Sequence, residues 1–384
     1  MPTTDDAAKI IAERAKEIEE ELAELVEINS FTDNTEGGHK VGELLVERTF
    51  LVPQLNYRIV ESKRYASHRV FSSRGDASRR PIALIGHLDT VFPPGTFEGF
   101  KRDGDLARGP GVLDMKGGLV VVAHALKAIA ETVGLDAIAP IRLAIVADEE
   151  VGSPEGQGVI RDAIKDAKGA LVFEAGRKGD AIITRRKGTG SMNAVATGRA
   201  AHAGNNHKEG KNAIWAIARF VDAAQKLSDY SRGVTVNVGI ISGGTSKNTV
   251  PDSAKAQLDL RFESIADGEK LVSDLRLAAD AHGVEGVTIA LNGGVARQPL
   301  ERTTGSVELM NAYGEQARAS GLGMSEASLI GGGSDASTSF AMGIASIDGL
   351  GPRGIGFHTK DEQIEIATLV LKAQALARFL MTWK

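Results

Sequence analysis

The sequence predicts an α/β protein: a mostly parallel sheet sandwiched by helices, interrupted by an inserted βαββαβ domain. Three observations carry this expectation. Short, wholly apolar runs such as Ile82-Ala83-Leu84-Ile85 alternate with helical stretches over residues 1–187, as in a sheet covered on both faces. After Gly188 the strands alternate between polar and apolar residues, which marks a sheet with one wet face. Beyond Pro299 the α/β character returns.

Taken in order, Ile10, Ile11, Ile18, Leu22, Leu25 and Val26 recur at helical spacing, so one amphipathic helix is expected over 5–28. A second helix is expected over 40–50 and another over 116–130, with buried strands at 82–85, 142–147 and 170–173. A strand at 191–197, a helix at 212–227 and a strand at 234–241 follow. In the next strand, 254–262, Ala254, Ala256, Leu258, Leu260 and Phe262 share one face. Lys255, Gln257, Asp259 and Arg261 take the other. A helix at 268–282 and a strand at 287–291 complete the ferredoxin-like order. The expected domains are therefore 1–187, an insertion at 188–296, and 297–384. The last part should hold a helix from Ser306, the loop Gly331-Gly332-Gly333, a short strand at 345–347 and a closing helix from Gln363.

Composition narrows the function. The 384 residues are 42% apolar and suit two domains. A net charge of −5 argues against a nucleic-acid binder. With no cysteine, any metal must be held by histidines and carboxylates. Residues 1–24 are polar and acidic, with no visible secretory signal, and no run of about 18 apolar residues exists. A cytoplasmic protein without a membrane span is expected, or a periplasmic one if a signal has been removed.

Chemistry concentrates in five segments. His87 and Asp89 stand two apart at the end of a strand, where side chains share a face. His87 could bind a metal while Asp89 holds its second ring nitrogen. Asp114 lies between Gly109-Pro110-Gly111 and a helix; it could bridge two cations or simply cap that helix. Glu149 and Glu150 follow a strand. On extended chain they point apart, so one could bind metal and the other could move a proton. Alone, such a pair is more often a solvated turn. Glu174 ends the next strand, and His358 follows glycines in Gly354-Ile355-Gly356-Phe357-His358. His39, His68, His124, His207 and His282 lack such settings and are read as surface or locally satisfied. Together the segments offer two imidazoles, three carboxylates and a spare glutamate, mostly at carboxyl ends of strands, where open α/β sheets place ligands. The nitrogen-and-oxygen set suits zinc, with cobalt or manganese possible.

These segments, with Ala201-His202-Ala203-Gly204, closely resemble the aminoacylase/glutamate carboxypeptidase family of co-catalytic di-zinc metallopeptidases, from about residue 20 to the C-terminus. Gly331-Gly332-Gly333-Ser334-Asp335-Ala336 and Gly349-Leu350-Gly351-Pro352 point to its carboxypeptidase G branch. The resemblance implies a zinc peptidase-like catalytic domain and a lid or dimerisation domain. It also implies two Zn²⁺ per chain bridged by Asp114, with His87 and Glu174 completing one ion and Glu150 and His358 the other. Glu149 would be the general base and Asp89 would orient His87. The Asp114–Met115 peptide would be cis. His202 would reach the partner subunit's site to help hold the oxyanion. Asn248 would bind substrate, Arg261 would grip its free carboxylate, and Arg297 and the Gly332 loop would face the rest of it. The implied activity is amide hydrolysis beside a free C-terminal carboxylate in N-acyl amino acids or short peptides, possibly glutamate-directed. Deacylation of acetylornithine or succinyl-diaminopimelate type and dipeptidase activity are the enzymatic alternatives. A catalytically silent metal-binding protein is the alternative of another class, against which the intact Glu149 argues. A homodimer through the lid is implied.

Overall fold

The computed structural model describes residues 2–383. The chain divides into two compact units. The first holds 1–184, 302–329 and 334–384, and the second holds 185–301 and 330–333.

Helix α1 (Thr4–Glu13) opens with a capping box between Thr3 and Asp6. Helix α2 (Ala15–Glu27) follows after a break at Arg14, where φ is −98° and ψ 14°. The single helix expected over 5–28 is thus two. Ile11 and Ile18, seven apart and both buried, satisfy a continuous and a broken helix alike, so periodicity does not reveal the break. Arg14 instead forks onto Glu131 at 2.9 and 2.7 Å. Helix α3 (Thr35–Leu44) starts five residues before the expected 40, capped by Asn34, and runs on as a π-turn over Leu45–Thr49. Its glycines hid it, yet packing demands one of them: a Cβ on Gly42 would stand 2.5 Å from the Arg69 guanidinium.

Strands β1 (Leu55–Val60), β2 (His68–Ser73), β3 (Ile82–His87), β4 (Lys101–Asp103) and β5 (Leu106–Arg108) precede helix α4 (Lys116–Thr132). Strand β6 (Ile141–Val146), helix α5 (Gly156–Ile164) and strand β7 (Gly169–Val172) follow. The second unit then supplies β8 (Gly188–Thr197), β9 (Ala201–His202), α6 (Ala213–Gln225), β10 (Thr235–Gly243), β11 (Thr249–Val250), β12 (Ser253–Phe262), α7 (Ile265–Asp280) and β13 (Thr288–Arg297). The chain closes with α8 (Thr304–Ala319), α9 (Ala336–Phe340), β14 (Ala345–Ile347), β15 (Gly354–Ile355), β16 (Gln363–Glu365) and α10 (Ala367–Thr382). The closing helix therefore starts at Ala367 rather than Gln363. Residues 363–365 are drawn into a strand because Ile364 buries its side chain as it pairs with Ala107.

The main sheet of the first unit has the order β1-β2-β6-β3-β7-β14. Its β6–β3, β3–β7 and β7–β14 pairings are parallel; β1–β2 and β2–β6 are antiparallel. All of β3 is buried, which is why it reads as an unbroken apolar run. Leu84, Leu143 and Leu171 of the sheet share one apolar core with Leu119 and Leu126 of α4 and Leu376 and Leu380 of α10. A small antiparallel sheet, β15-β16-β5-β4, lies in the same unit.

The second unit is an antiparallel sheet of order β10-β12-β8-β13 with helices α6 and α7. The even-numbered residues from Ala254 to Phe262 are buried, while Lys255 and Gln257 are exposed and Asp259 and Arg261 half-buried. Phe220 of α6 and Leu271 and Leu275 of α7 close that core.

Candidate active site

Three adjacent parallel strands deliver acids and an imidazole side by side. Strand β3 ends in His87, β6 leads into Glu149 and Glu150, and β7 leads into Glu174. Ligands gather at such carboxyl ends because each strand there hands over to a loop whose side chains can turn into the crevice. His87 is buried, with Nδ1 3.0 Å from the Asp89 main-chain oxygen and 3.4 Å from Asp89 Oδ1. That fixes Nε2 toward the acids, 3.3 Å from Asp114 Oδ1 and 3.8 Å from Glu174 Oε1.

Asp114 lies in the turn before α4 and is joined to Met115 by a cis peptide bond. Its second oxygen, Oδ2, lies 3.2 Å from His358 Nε2, and Glu150 Oε2 lies 3.0 Å from the same nitrogen. One carboxylate thus spans two imidazoles that are far apart in sequence. His358, in the turn after β15, sits at φ 62°. The potential ligand atoms of His87, Asp114 and Glu150 lie within 4.8 Å of one another, as do those of His87, Glu149 and Glu174.

The expected splay of Glu149 and Glu150 on extended chain is wrong in its cause. Both lie in a 3₁₀ turn, Glu149–Val151. Asp89 holds that turn: Oδ1 accepts from Glu149 N and Oδ2 from Glu150 N, each at 3.2 Å. Thr32 adds its hydroxyl to Oδ2 at 2.8 Å. Asp89 therefore grips the histidine and the two glutamates together.

In the second unit the anticipated residues fall into two groups. His202 ends β9, and its Nδ1 accepts the N–H groups of Gly204 and Asn205 at 3.2 and 3.1 Å. Asn248 is brought beside it by the β9–β11 pairing; its carbonyl accepts from Ala203 N at 2.9 Å, and its side-chain oxygen accepts the Ser246 hydroxyl. Arg261 and Arg297 lie in register on either side of Thr189. Arg261 forks onto Asp259 at 2.9 Å through Nε and Nη2. Arg297 is buried, packed so that a Cβ on Gly333 would stand 3.1 Å from its Cδ. Gly332 is exposed, and its carbonyl accepts from Arg186 Nη1 at 3.2 Å.

Some contributors escape a reading of motifs. Glu362 is buried and accepts the N–H groups of Leu113 and Asp114. Lys116 is wholly buried and donates to Leu25 O and Ile28 O at 2.9 and 2.8 Å. Its position two residues after Asp114 is the one available signal. Outside the cluster, His68, His124 and His282 are buried; only His282 is bonded locally, to Val284 N, while His68 accepts from Ala147 N and His124 pairs with Glu21, both remote in sequence.

Burial and mutual repulsion govern the protonation of these groups. Burial pushes Glu150 up to about 8 and Glu174 well above the usual carboxyl range. Burial would raise Asp114 too, but hydrogen bonds from His358 and His87 outweigh it and hold this carboxyl far below its ordinary value. Bonds to Asp114 and Glu150 lift His358 to about 10. Burial opposes the charge on His87, yet its bonds to Asp114, Asp89 and Glu174 raise it well above normal. Burial also moves Glu362 up and Lys116 down, each to about 7.

The donor set fits a pair of hard or borderline dications. It is all nitrogen and oxygen, and the Glu150 Oε1 atom is buried without a hydrogen-bond partner among the described residues. Protonated imidazoles and raised carboxyls show a buried acidic cluster that calls for positive charge. Ligands must be deprotonated to bind a metal. Since His358 and Glu150 hold protons at neutral pH, zinc binding at pH 7 is expected to release protons, and apparent affinity should rise with pH toward about 10. Calorimetry of zinc binding in buffers of differing ionisation enthalpy measures this; buffer-independent heats would contradict it.

Residues 184–287 match the peptidase dimerisation domain of the M20 family. Carboxypeptidase G2 of Pseudomonas sp. (strain RS-16) is 28% identical over 371 residues, spanning 94% of this chain and 88% of that protein. The chain thus carries an M20 peptidase dimerisation domain and is similar along nearly its whole length to a carboxypeptidase. Solved M20-type folds agree. A tripeptidase from Staphylococcus aureus has a TM-score of 0.79 at 22% identity, covering 96% of this chain and 98% of its own. An M20 family metallo-carboxypeptidase from Sulfolobus solfataricus has a TM-score of 0.73 at 18% identity, covering 95% and 98%. The family resemblance and fold class expected from the motifs hold, and the chain is a metal-dependent hydrolase. Among the described residues no helix is long and apolar enough to cross a membrane.

Proposed function

We propose that this M20 hydrolase cleaves the amide bond beside a free α-carboxylate in N-acyl amino acids or short peptides, with glutamate-type substrates suggested by its kinship to carboxypeptidase G2. The observation that carries the reading is the convergence of His87, Asp114, Glu150, Glu174 and His358 in one cluster, with Glu149 beside them. Asp114 would hold both members of a zinc pair, His87 and Glu174 completing one and Glu150 and His358 the other. When bound, such ions polarise the scissile carbonyl and lower the pKa of an attacking water toward neutrality.

The chain's own residues do the rest. Glu149, placed by the Asp89 carboxylate under its main-chain N–H, takes the proton of the water and returns it to the leaving amine. Asp89 keeps His87 Nε2 aimed at the cluster. His202 has its Nδ1 engaged by main-chain donors, so Nε2 carries the proton it would offer to the oxyanion. Arg261 spends Nε and Nη2 on Asp259, which leaves Nη1 for a substrate carboxylate. Asn248, Arg297 and the Gly332 loop would complete substrate binding. A homodimer through the dimerisation domain is part of this reading.

A panel of N-acyl amino acids, their methyl esters and dipeptides tests it. Free-carboxylate N-acyl substrates should be hydrolysed, chelator should abolish turnover, and zinc should restore it. Equal turnover of the methyl esters, or none of the free acids by zinc-loaded protein, would overturn it.

A further inference from the structure

We infer that Glu362 is a positioning residue that sets the main chain of Asp114 and ties it to the turn carrying His358. The inference rests on the proposed metal site and assigns a residue that does not itself reach the cluster. Glu362 is wholly buried. Its Oε1 accepts two successive main-chain N–H groups, Leu113 at 2.9 Å and Asp114 at 3.0 Å. Its main-chain oxygen accepts a third, from Gly109, and its own N–H donates to Thr359 O. One residue thus stitches the 109–114 turn to the 356–362 turn, across 248 positions of sequence.

The surroundings leave this link little slack. Strand β16 begins at the next residue and pairs with β5, which ends at Arg108, just before the 109–114 turn. Gly356, at φ 81°, packs so closely that a Cβ there would stand 3.0 Å from Glu362 N. The two ligands placed by these turns meet at 3.2 Å, His358 Nε2 to Asp114 Oδ2. A carboxylate that accepts two adjacent N–H groups fixes the orientation of the peptide between them, and hence the direction in which the Asp114 side chain leaves the chain. Both Asp114 oxygens are used, one toward each imidazole, so a small rotation would spoil two contacts at once. Partners of this kind are worth about 10–100-fold in metal affinity or activity.

Glu362→Asp and Glu362→Gln separate the explanation from a mere charge effect. Aspartate keeps the charge but withdraws the oxygens by one methylene, beyond reach of both N–H groups. Glutamine loses the charge but keeps an oxygen acceptor in place. Chelator-treated proteins are titrated with zinc against a competing chromophoric chelator. Glu362→Asp is expected to bind zinc about 10–100-fold more weakly than the parent, and Glu362→Gln within threefold of it, roughly the spread of a single hydrogen bond. Wild-type affinity in Glu362→Asp would overturn the inference, as would an equal loss in both variants. Should Glu362→Asp not fold, amide hydrogen exchange in the parent decides: Leu113 and Asp114 must be protected, and exchange at the rate of open-loop amides would refute the link. Absence of zinc binding by the parent would instead refute the metal site.

Discussion

Glu149→Ala is expected to lower kcat by about 10²–10⁴-fold, the range contributed by a positioned proton-transfer group, while zinc content stays near that of the parent. The variant matters because the geometry gives Glu149 two conceivable duties. Its carboxylate lies within ligand distance of His87 and Glu174, so it could hold a metal. Its main-chain N–H is also held by Asp89, in a turn whose next residue, Glu150, faces His358, a placement that suits a proton-transfer group beside the cluster. A base removed without a ligand lost leaves the metals bound and the proton stranded. Activity and metal content, measured on one preparation by turnover assay and elemental analysis, therefore separate the duties. Loss of zinc together with activity would make Glu149 a ligand and require another base.

The reason this cluster could be read from sequence, while its supports could not, lies in where each residue's signal resides. His87, Glu150 and Glu174 follow strands buried on both faces, and such strands announce themselves as apolar runs. The antiparallel pair β1–β2 sends no such signal. Strand β1 is an exposed edge, and β2 buries His68 and Arg69, so hydropathy misreads both. Arg69 is accommodated because its guanidinium bonds to the carbonyls of Gly42 and Ser67. The break at Arg14 is likewise set by a partner, Glu131, 117 residues away. Thr32 and Glu362 act by the same kind of tertiary bond, one to the Asp89 carboxylate and one to main-chain N–H groups. A residue whose partner is a backbone amide in a remote turn leaves no pattern in the residue types around it.

The second large effect concerns Asp114, and it turns on charge as much as on contact. Asp114→Ala should weaken binding of both zinc ions by more than about 100-fold, beyond the range for residues that only support a ligand. Turnover should fall with them. The carboxylate is buried and is held ionised against burial by His358 and His87. In the native protein it contributes stability that is present above the ordinary carboxyl pKa and is lost as pH falls through its depressed native value. Removing it leaves two raised imidazoles facing one carboxylate fewer, so each should give up its proton at lower pH than in the parent. NMR titration of the imidazoles in chelator-treated protein reads that shift directly, and zinc titration reads the affinity. Glu149→Ala and Asp114→Ala thus predict results that differ in metal content alone: inactive with metal retained, and inactive with metal lost. An Asp114→Ala protein that kept both ions at parental affinity would remove the bridging role and, with it, the pairing of His87 and His358 through one carboxylate.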